Sequence, residues 1–331
     1  MRITYYHRRL KAGYDSIERL FRQVRLALPG GVVAAVAVPK FISKGLVRRL
    51  YNILEAPFRQ GDVNHITGDV HYLAYFLRKR KTILTIHDCG NLLRLKGMKR
   101  SLFTFFWYRL PMARSAKVTV VSRSTRQQLV KHLRCDEDTI EIVPNCIPDG
   151  FQVSPYTFNS VQPRILQVGT GQHKNLVMVA QALAGIPCHL RIIGELSAEQ
   201  TEALSAYGID YSSAANLGDD EVDAEYRACD MLVFASTHEG FGLPILEAQA
   251  TGRPLVTSNL MSMPEVAGKG AILVDPYDPV SVRDGIKEVI TSASTRERLI
   301  ADGLENIQRF APEIIVDRYL RLYEQMIGKV Q

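Results

Sequence analysis

The sequence predicts an α/β protein of two doubly wound domains, each a parallel sheet with helices on both faces. Three observations predict it. Val- and Ile-rich runs alternate with helical-period runs along all 331 residues, and near-continuous apolar strands are those buried on both faces. The alternation breaks once, in the Pro-, Ser- and Asn-rich stretch from Ile147 to Pro163, which reads as a linker. The charge divides at the same place. Residues 1–150 hold 27 Lys+Arg against 11 Asp+Glu and residues 151–331 hold 14 against 23, so the net +7 conceals a +16 half and a −9 half. The split excludes a uniformly basic nucleic-acid binder, and 46% apolar residues exclude a disordered chain.

The elements follow in order. Met1 to His7 reads as a strand. From Tyr14 to Leu28 a helix places Ile17, Leu20, Phe21, Val24 and Leu28 on one face, with Arg19, Arg22 and Arg25 off it. Then come a buried strand VVAAVAV, a helix through LVRRLYNIL, the strand DVNHIT, a helix through HYLAYFL and the strand TILTIHD. A long aromatic and basic helix from Lys99 to Arg114, the strand KVTVVS, a helix through Gln127 and Leu133, and IEIVPN complete the first half. In the second half RILQVGT, HLRIIG, MLVFAS, RPLVTSN and GAILVDP read as buried strands between helices. The expected organisation is a first domain over 1–150, a second over 163–311 and a terminal helix over 312–331 that can pack back on the first. In two doubly wound domains the ligand is expected in the cleft between them, at the carboxyl ends of the strands.

The five cysteines are odd in number and scattered, with no CxxC, so neither a disulfide framework nor a zinc site is expected. The longest apolar stretch, Leu26 to Val38, is interrupted by Pro29-Gly30-Gly31 and falls short of the ~20 residues a spanning helix needs. It follows Arg-rich helical sequence, which argues against a signal peptide. A cytoplasmic chain is expected.

The most informative segment is STHEGFGLPILEAQATGRP, Ser236 to Pro254, directly after the strand MLVFAS. Gly240 and Gly242 permit a tight turn and close approach of a ligand. Pro244 suits the first turn of a helix and Gly252 its end. The amides of Phe241, Gly242 and Leu243 then face outward at the positive pole of that helix, a site for an anion such as a diphosphate. Glu239 and Glu247 flank it. Carboxylates there would repel phosphates, so they suit hydroxyls on either side, which describes a nucleotide-sugar. By itself the turn fits equally a capped surface helix with solvated glutamates.

With three further motifs the sequence resembles the retaining glycosyltransferases of family 4 (glycosyl transferase group 1), which have the GT-B fold of two Rossmann-like domains facing across a cleft. These motifs are VGTGQHKN (168–175), SNLMSMPEVAG with AILVDP, and VVSRSTR followed by IVPN. The resemblance implies that Lys174 contacts the donor diphosphate, that Glu247 holds the ribose hydroxyls and that Glu239 contacts the transferred sugar. It places Thr170 in the donor loop, where the family often has an arginine, and leaves the role of His173 open. Gly13 falls where the family's glycine-rich first loop approaches the donor, although that loop usually has two glycines. His87, at the end of TILTIHD, matches a histidine near the donor sugar that activity requires. Without the other motifs, His87-Asp88 reads as a His–carboxylate pair at a strand end. His71 is read as structural or acceptor-contacting.

The implied reaction moves a hexose with retention, by front-face return, from a nucleotide diphosphate sugar to a hydroxyl of a cell-envelope saccharide or lipid-linked acceptor. Mannose is favoured by the HKN and SMPEVAG wording. No cofactor and no metal are expected, because Lys174 and the helix pole stabilise the leaving diphosphate. Asp136 and Asp138 mimic a metal-binding Asp-x-Asp but read as a turn and cap. The basic, aromatic runs at Leu77–Lys81 and Leu92–Leu110 fit an anionic membrane surface or a core-packed helix with a solvated basic face. Nucleic acid lacks a recognition motif. A sugar-nucleotide epimerase and a catalytically silent partner subunit are the alternative functions. Intact Glu239, Glu247 and Lys174 argue against the silent subunit.

Overall fold

The computed structural model describes residues 1–9, 16–90, 92 and 95–328. They form two units, Met1–Cys146 with Ala311–Gln331, and Ile147–Phe310. Divided this way the charges separate slightly further, to +17 and −10.

The first unit holds β1 (Arg2–Tyr6), β2 (Val33–Ala37), β3 (Val63–Ile66), β4 (Thr82–Ile86), β5 (Lys117–Val120) and β6 (Ile140–Ile142). They form one parallel sheet in the order β2-β1-β3-β4-β5-β6, with Ile3 opposite Val63 and His65 opposite Ile83. Every residue of β3 and β4 is buried, as strands covered on both faces must be. β2 is the exception: expected as a buried strand, it is the sheet edge with Val33 and Val36 exposed. Among the described residues it pairs only with β1, so one of its sides has no strand beside it. The Pro312–Gly328 helix belongs to this unit. Its Ile315, Val316, Tyr319, Leu322, Tyr323 and Met326 pack with Ile3, Tyr5, Leu20, Phe21 and Val24. Each such side chain contributes about 1.5–3 kcal/mol of burial.

Two helices differ from expectation. HYLAYFL forms only a 3-10 turn, His71–Tyr75, and the long 99–114 helix is α over Gly97–Thr104, wide-turned over Phe105–Arg109 and α again over Leu110–Ala113. Pro111 explains the second. It lacks the N–H that the preceding turn's carbonyls would accept from. His71 Nδ1 donates to Trp107 O at 2.9 Å, and the Tyr75 hydroxyl donates to Phe106 O. The 3-10 turn therefore completes the hydrogen bonding of the wide turn, which makes His71 a structural residue.

The second unit holds β7 (Arg164–Val168), β8 (His189–Ile193), β9 (Tyr211–Ala214), β10 (Met231–Phe234), β11 (Leu255–Ser258) and β12 (Ile272–Val274). They are parallel in the order β12-β11-β10-β7-β8-β9. β9, YSSA, is an edge strand with no apolar run, and for that reason sequence periodicity missed it. The stretch 147–163 is no free linker, because it is strapped to this unit. Buried Arg253 donates to Ser154 O at 2.9 Å and lies 3.8 Å over the Tyr156 ring, while Asp230 accepts from the amides of Asn159 and Arg164. Among the described residues no helix is long and apolar enough to cross a membrane.

Candidate active site

The order of the second sheet turns back between β7 and β10, the switch point where doubly wound sheets take ligands. Both motif loops leave from there. After β7, Gly169 takes φ +86°, and a Cβ on it would come 3.0 Å from Lys174 Cε, so glycine lets the lysine fold back over the loop. Asn175 closes the loop at φ +63°, its Nδ2 donating to Ala235 O at 3.1 Å and Pro276 O at 2.7 Å. The Thr237 amide donates to His173 O at 2.8 Å, joining this loop to the one after β10.

The two loops bring Lys174 and Glu239 together. Lys174 Nζ lies 2.7 Å from Glu239 Oε1 and 4.6 Å from the Phe234 ring centroid, with both charged side chains largely buried. His173 Nε2 stands 3.9 Å from the same carboxylate oxygen. The cation is thus held in place before any anion arrives, and its partial desolvation strengthens its field.

The turn that carries Glu239 is fixed from below. Buried Ser262 places its hydroxyl 3.1 Å from Glu239 O and 2.8 Å from Phe241 O. Phe241 is buried edge-on to Phe310. Gly242, at φ +104°, caps the Leu243–Ala250 helix, and Pro244 in its first turn has no N–H to leave unpaired. Leu243, as the first residue of the helix, has an amide without an intrahelical acceptor. One turn on, Glu247 Oε2 accepts from the Tyr226 hydroxyl at 2.6 Å. Burial, reinforced by Glu247, raises Tyr226 well above the usual tyrosine range, so it stays a donor and fixes the carboxylate plane. Thr170 packs on Gly194, whose φ of +139° and lack of a Cβ leave room for it, and Thr170 O accepts from Gln200 Nε2 at 2.6 Å.

In the first unit the switch point lies between β1 and β3, and histidines gather there. Arg25 Nη1 donates to His7 Nε2 at 2.7 Å, so His7 Nδ1 carries the hydrogen shared with Thr67 Oγ1 at 3.0 Å. Thr67 Oγ1 in turn donates to Tyr6 O. His87 Nε2 lies 2.7 Å from Thr67 O. A carbonyl only accepts, so Nε2 bears the proton and Nδ1 carries the lone pair. Burial lowers the His87 pKa and keeps the ring neutral. Gly68, at φ +143°, leaves space that a Cβ would take at 2.7 Å from the His87 ring. Asp88 does not pair with His87: its Oδ1 accepts from the Gly90 amide. Gly13 lies outside the described residues.

Asp136 accepts the Asp138 amide at 3.1 Å and so caps the Glu137–Thr139 turn. Among the described residues no three His, Cys, Asp or Glu side chains group so as to hold a metal ion.

Known families match both units. The model of "Glycosyl transferases group 1" matches residues 152–305, and that of "Glycosyltransferase Family 4" matches residues 15–150. The two models together match most of the chain, which is related to the GT-B glycosyltransferases of these families. Relatives include the "Serotype-specific mannosyltransferase WbdA" of Escherichia coli, 26% identical over 257 residues, covering 69% of this chain and 32% of the relative. Another is the "O-antigen chain mannosyltransferase B" of Escherichia coli, 36% identical over 106 residues, covering 32% of this chain and 28% of the relative. The chain thus spans about a third or less of the length of these curated relatives. Among solved structures, a glycosyltransferase from Rickettsia africae ESF-5 superposes with a TM-score of 0.75 over 98% of both chains at 17% identity, a likeness of fold.

Three positioning residues have no role assignable from sequence: Asn175, Tyr226 and Ser262. Asn175 ends the VGTGQHKN motif, and Asn is among the few non-glycine residues that visit the left-handed region. Tyr226 and Ser262 meet the glutamates only through tertiary folding, so no local spacing marks them.

Proposed function

We propose that the chain transfers a hexose, with mannose favoured, from a nucleotide diphosphate sugar to a hydroxyl of a cell-envelope saccharide or lipid-linked acceptor, with retention and at the cytoplasmic side. The observation that carries the reading is the largely buried Lys174–Glu239 pair at the switch point, beside the amide-bearing entrance of the Leu243–Ala250 helix. One cation and one helix pole suit a diphosphate, and the two carboxylates suit the hydroxyls on either side of it. Glu247, held by Tyr226, takes the ribose; Glu239, held by Lys174 and Ser262, takes the sugar. Thr170, Phe241, Gly242 and Leu243 shape the donor seat, with Gly13 assigned to it from the motif alone.

As the glycosidic bond breaks, negative charge grows on the leaving diphosphate. Lys174 and the helix amides stabilise that charge more than they stabilise the bound donor, which lowers the barrier. His87, neutral with its Nδ1 lone pair available, serves as the catalytic histidine. Mannose is supported by the names of the two Escherichia coli relatives, both mannosyltransferases. A thermal-shift screen with GDP-mannose, UDP-glucose and ADP-glucose tests the donor. The reading expects GDP-mannose to stabilise most, by mass action. Stabilisation by UDP-glucose alone would replace mannose, and stabilisation by no nucleotide-sugar would overturn the reading.

A further inference from the structure

The Leu46–Glu55 helix is rich in apolar residues, yet its buried residues are only Asn52 and Ile53. Leu46 is 83% exposed and Val47 81%, with Leu50, Tyr51 and Leu54 about half exposed on the turns that follow, and Phe58 just beyond is 89% exposed. Leu46, Leu50, Leu54 and Phe58 recur every four residues, so they form one stripe. A second stripe, Met98, Leu102, Phe105 and Phe106, is exposed along the Gly97–Arg109 helix, and Phe76 stands exposed after the 3-10 turn.

These elements are neighbours within the first unit. The Arg49 guanidinium lies 5.0 Å from the Trp107 ring centroid, the Tyr75 hydroxyl donates to Phe106 O, and the Arg78 amide donates to Gln60 Oε1 at 2.8 Å. Scattered exposed apolar residues are ordinary, but joined stripes mark an interaction surface. Its rim is cationic. Residues 40–109 hold 14 Lys+Arg against 4 Asp+Glu, and no acid occurs from Cys89 to Cys135. Of the four acids, Glu55 is neutralised by Arg59 and Asp69 by Arg8. A cavity of about 310 Å³ opens beside exposed Phe105, lined by Arg100, Ser101, Thr104, Arg109 and His132. Lys79 and Arg109 share the wall of another, about 530 Å³.

We propose that this face of the first unit seats on an anionic lipid surface, Leu46–Phe58 and Met98–Phe106 entering the headgroup layer while Lys79–Lys81, Arg100 and Arg109 meet lipid phosphates. A protein partner or second copy would bury the same apolar stripes, but a rim of nearly unopposed cations beside the basic cavity at Arg100 and Arg109 matches phosphate on the other side. The inference deepens the acceptor side of the proposed function, since a lipid-linked acceptor sits at such a surface. It stands or falls on lipid binding alone.

The test is co-sedimentation of the full chain with vesicles of phosphatidylcholine, or of phosphatidylcholine mixed with phosphatidylglycerol, at low and raised salt. The mixed vesicles are expected to carry the protein down, the neutral ones not, and added salt to weaken capture. Leu50→Glu with Leu54→Glu, and separately Lys79→Gln, Arg80→Gln and Lys81→Gln, are each expected to weaken capture by about tenfold or more. Unchanged circular dichroism and unchanged donor titration show that the fold and the donor site survive. Absence of capture by mixed vesicles, or equal capture of all variants, overturns the proposal. Self-association that the Leu50/Leu54 variant abolishes, without vesicle capture, gives the face to a second copy and overturns it too. Neither result touches the transfer reading, which fails instead if no nucleotide-sugar binds.

Discussion

Replacing Asn175 with alanine tests whether the donor loop is held as described. The side chain makes two hydrogen bonds, to Ala235 O and Pro276 O, and the backbone sits at φ +63°. Each bond contributes about 1 kcal/mol, and a left-handed alanine adds about 1 kcal/mol of strain. The expected destabilisation is about 3 kcal/mol, the sum of these terms. Asn175→Gly keeps the backbone relaxed and loses only the bonds, so it should cost about 1 kcal/mol less. Urea unfolding followed by far-UV circular dichroism reads both units, whereas Trp107, the one tryptophan, reports the first. The dichroism transition of the second unit should shift while Trp107 fluorescence does not. Because Lys174 precedes Asn175 on the same loop, donor affinity should fall as well. A loss below about 1 kcal/mol, or equal losses for alanine and glycine, would refute the anchoring argument.

Lys174→Ala removes the cation from a largely buried carboxylate, and donor affinity should drop by about tenfold or more, read by titration, because a charged hydrogen bond is worth about 1.5–3 kcal/mol. Gly68→Ala drives a methyl to 2.7 Å from the His87 ring, so turnover should fall with donor affinity unchanged. His87→Ala should lower turnover by about 100-fold, again with little change in donor affinity. Burial lowers the pKa of His7 to about 3, from an ordinary 6.5, and lowers those of His65 and His87. The unfolded chain therefore binds more protons below pH 6.5, and stability that is complete above that value is lost as pH falls. Trp107-monitored unfolding should show about 1.4 kcal/mol lost per pH unit for each histidine that titrates, and a flat profile from neutral to acid pH would contradict the burial.

Much of this molecule was legible in its sequence because its interior strands are buried on both faces and most are rich in apolar residues. β4 and β10 are fully buried and stand out as apolar-rich runs, whereas fully buried β3 and β11 also carry polar Asn64, His65, Thr257 and Ser258. Glu239, Lys174 and Glu247 were legible because strand-to-helix turns put chemistry at fixed offsets from glycine. The rest depended on neighbours that sequence does not display. β2 reads as a core strand, and only its place at the sheet edge exposes it. Leu46 to Leu54 has the same apolar content as a core helix, yet among the described residues of the first unit its face stays exposed. Residues 147–163 have a linker's composition, but buried Arg253, nearly a hundred positions away, fixes them to the second unit. His71 could be understood only once Pro111 was seen to leave Trp107 O without an amide.

Isothermal titration of the intact chain with GDP-mannose, alongside Glu247→Ala, tests the central claim most directly. One donor is expected to bind per chain, about tenfold or more weakly when Glu247 is removed from its place beside Tyr226. No heat of binding with GDP-mannose or with any other nucleotide-sugar, or equal affinity in the variant, would contradict it.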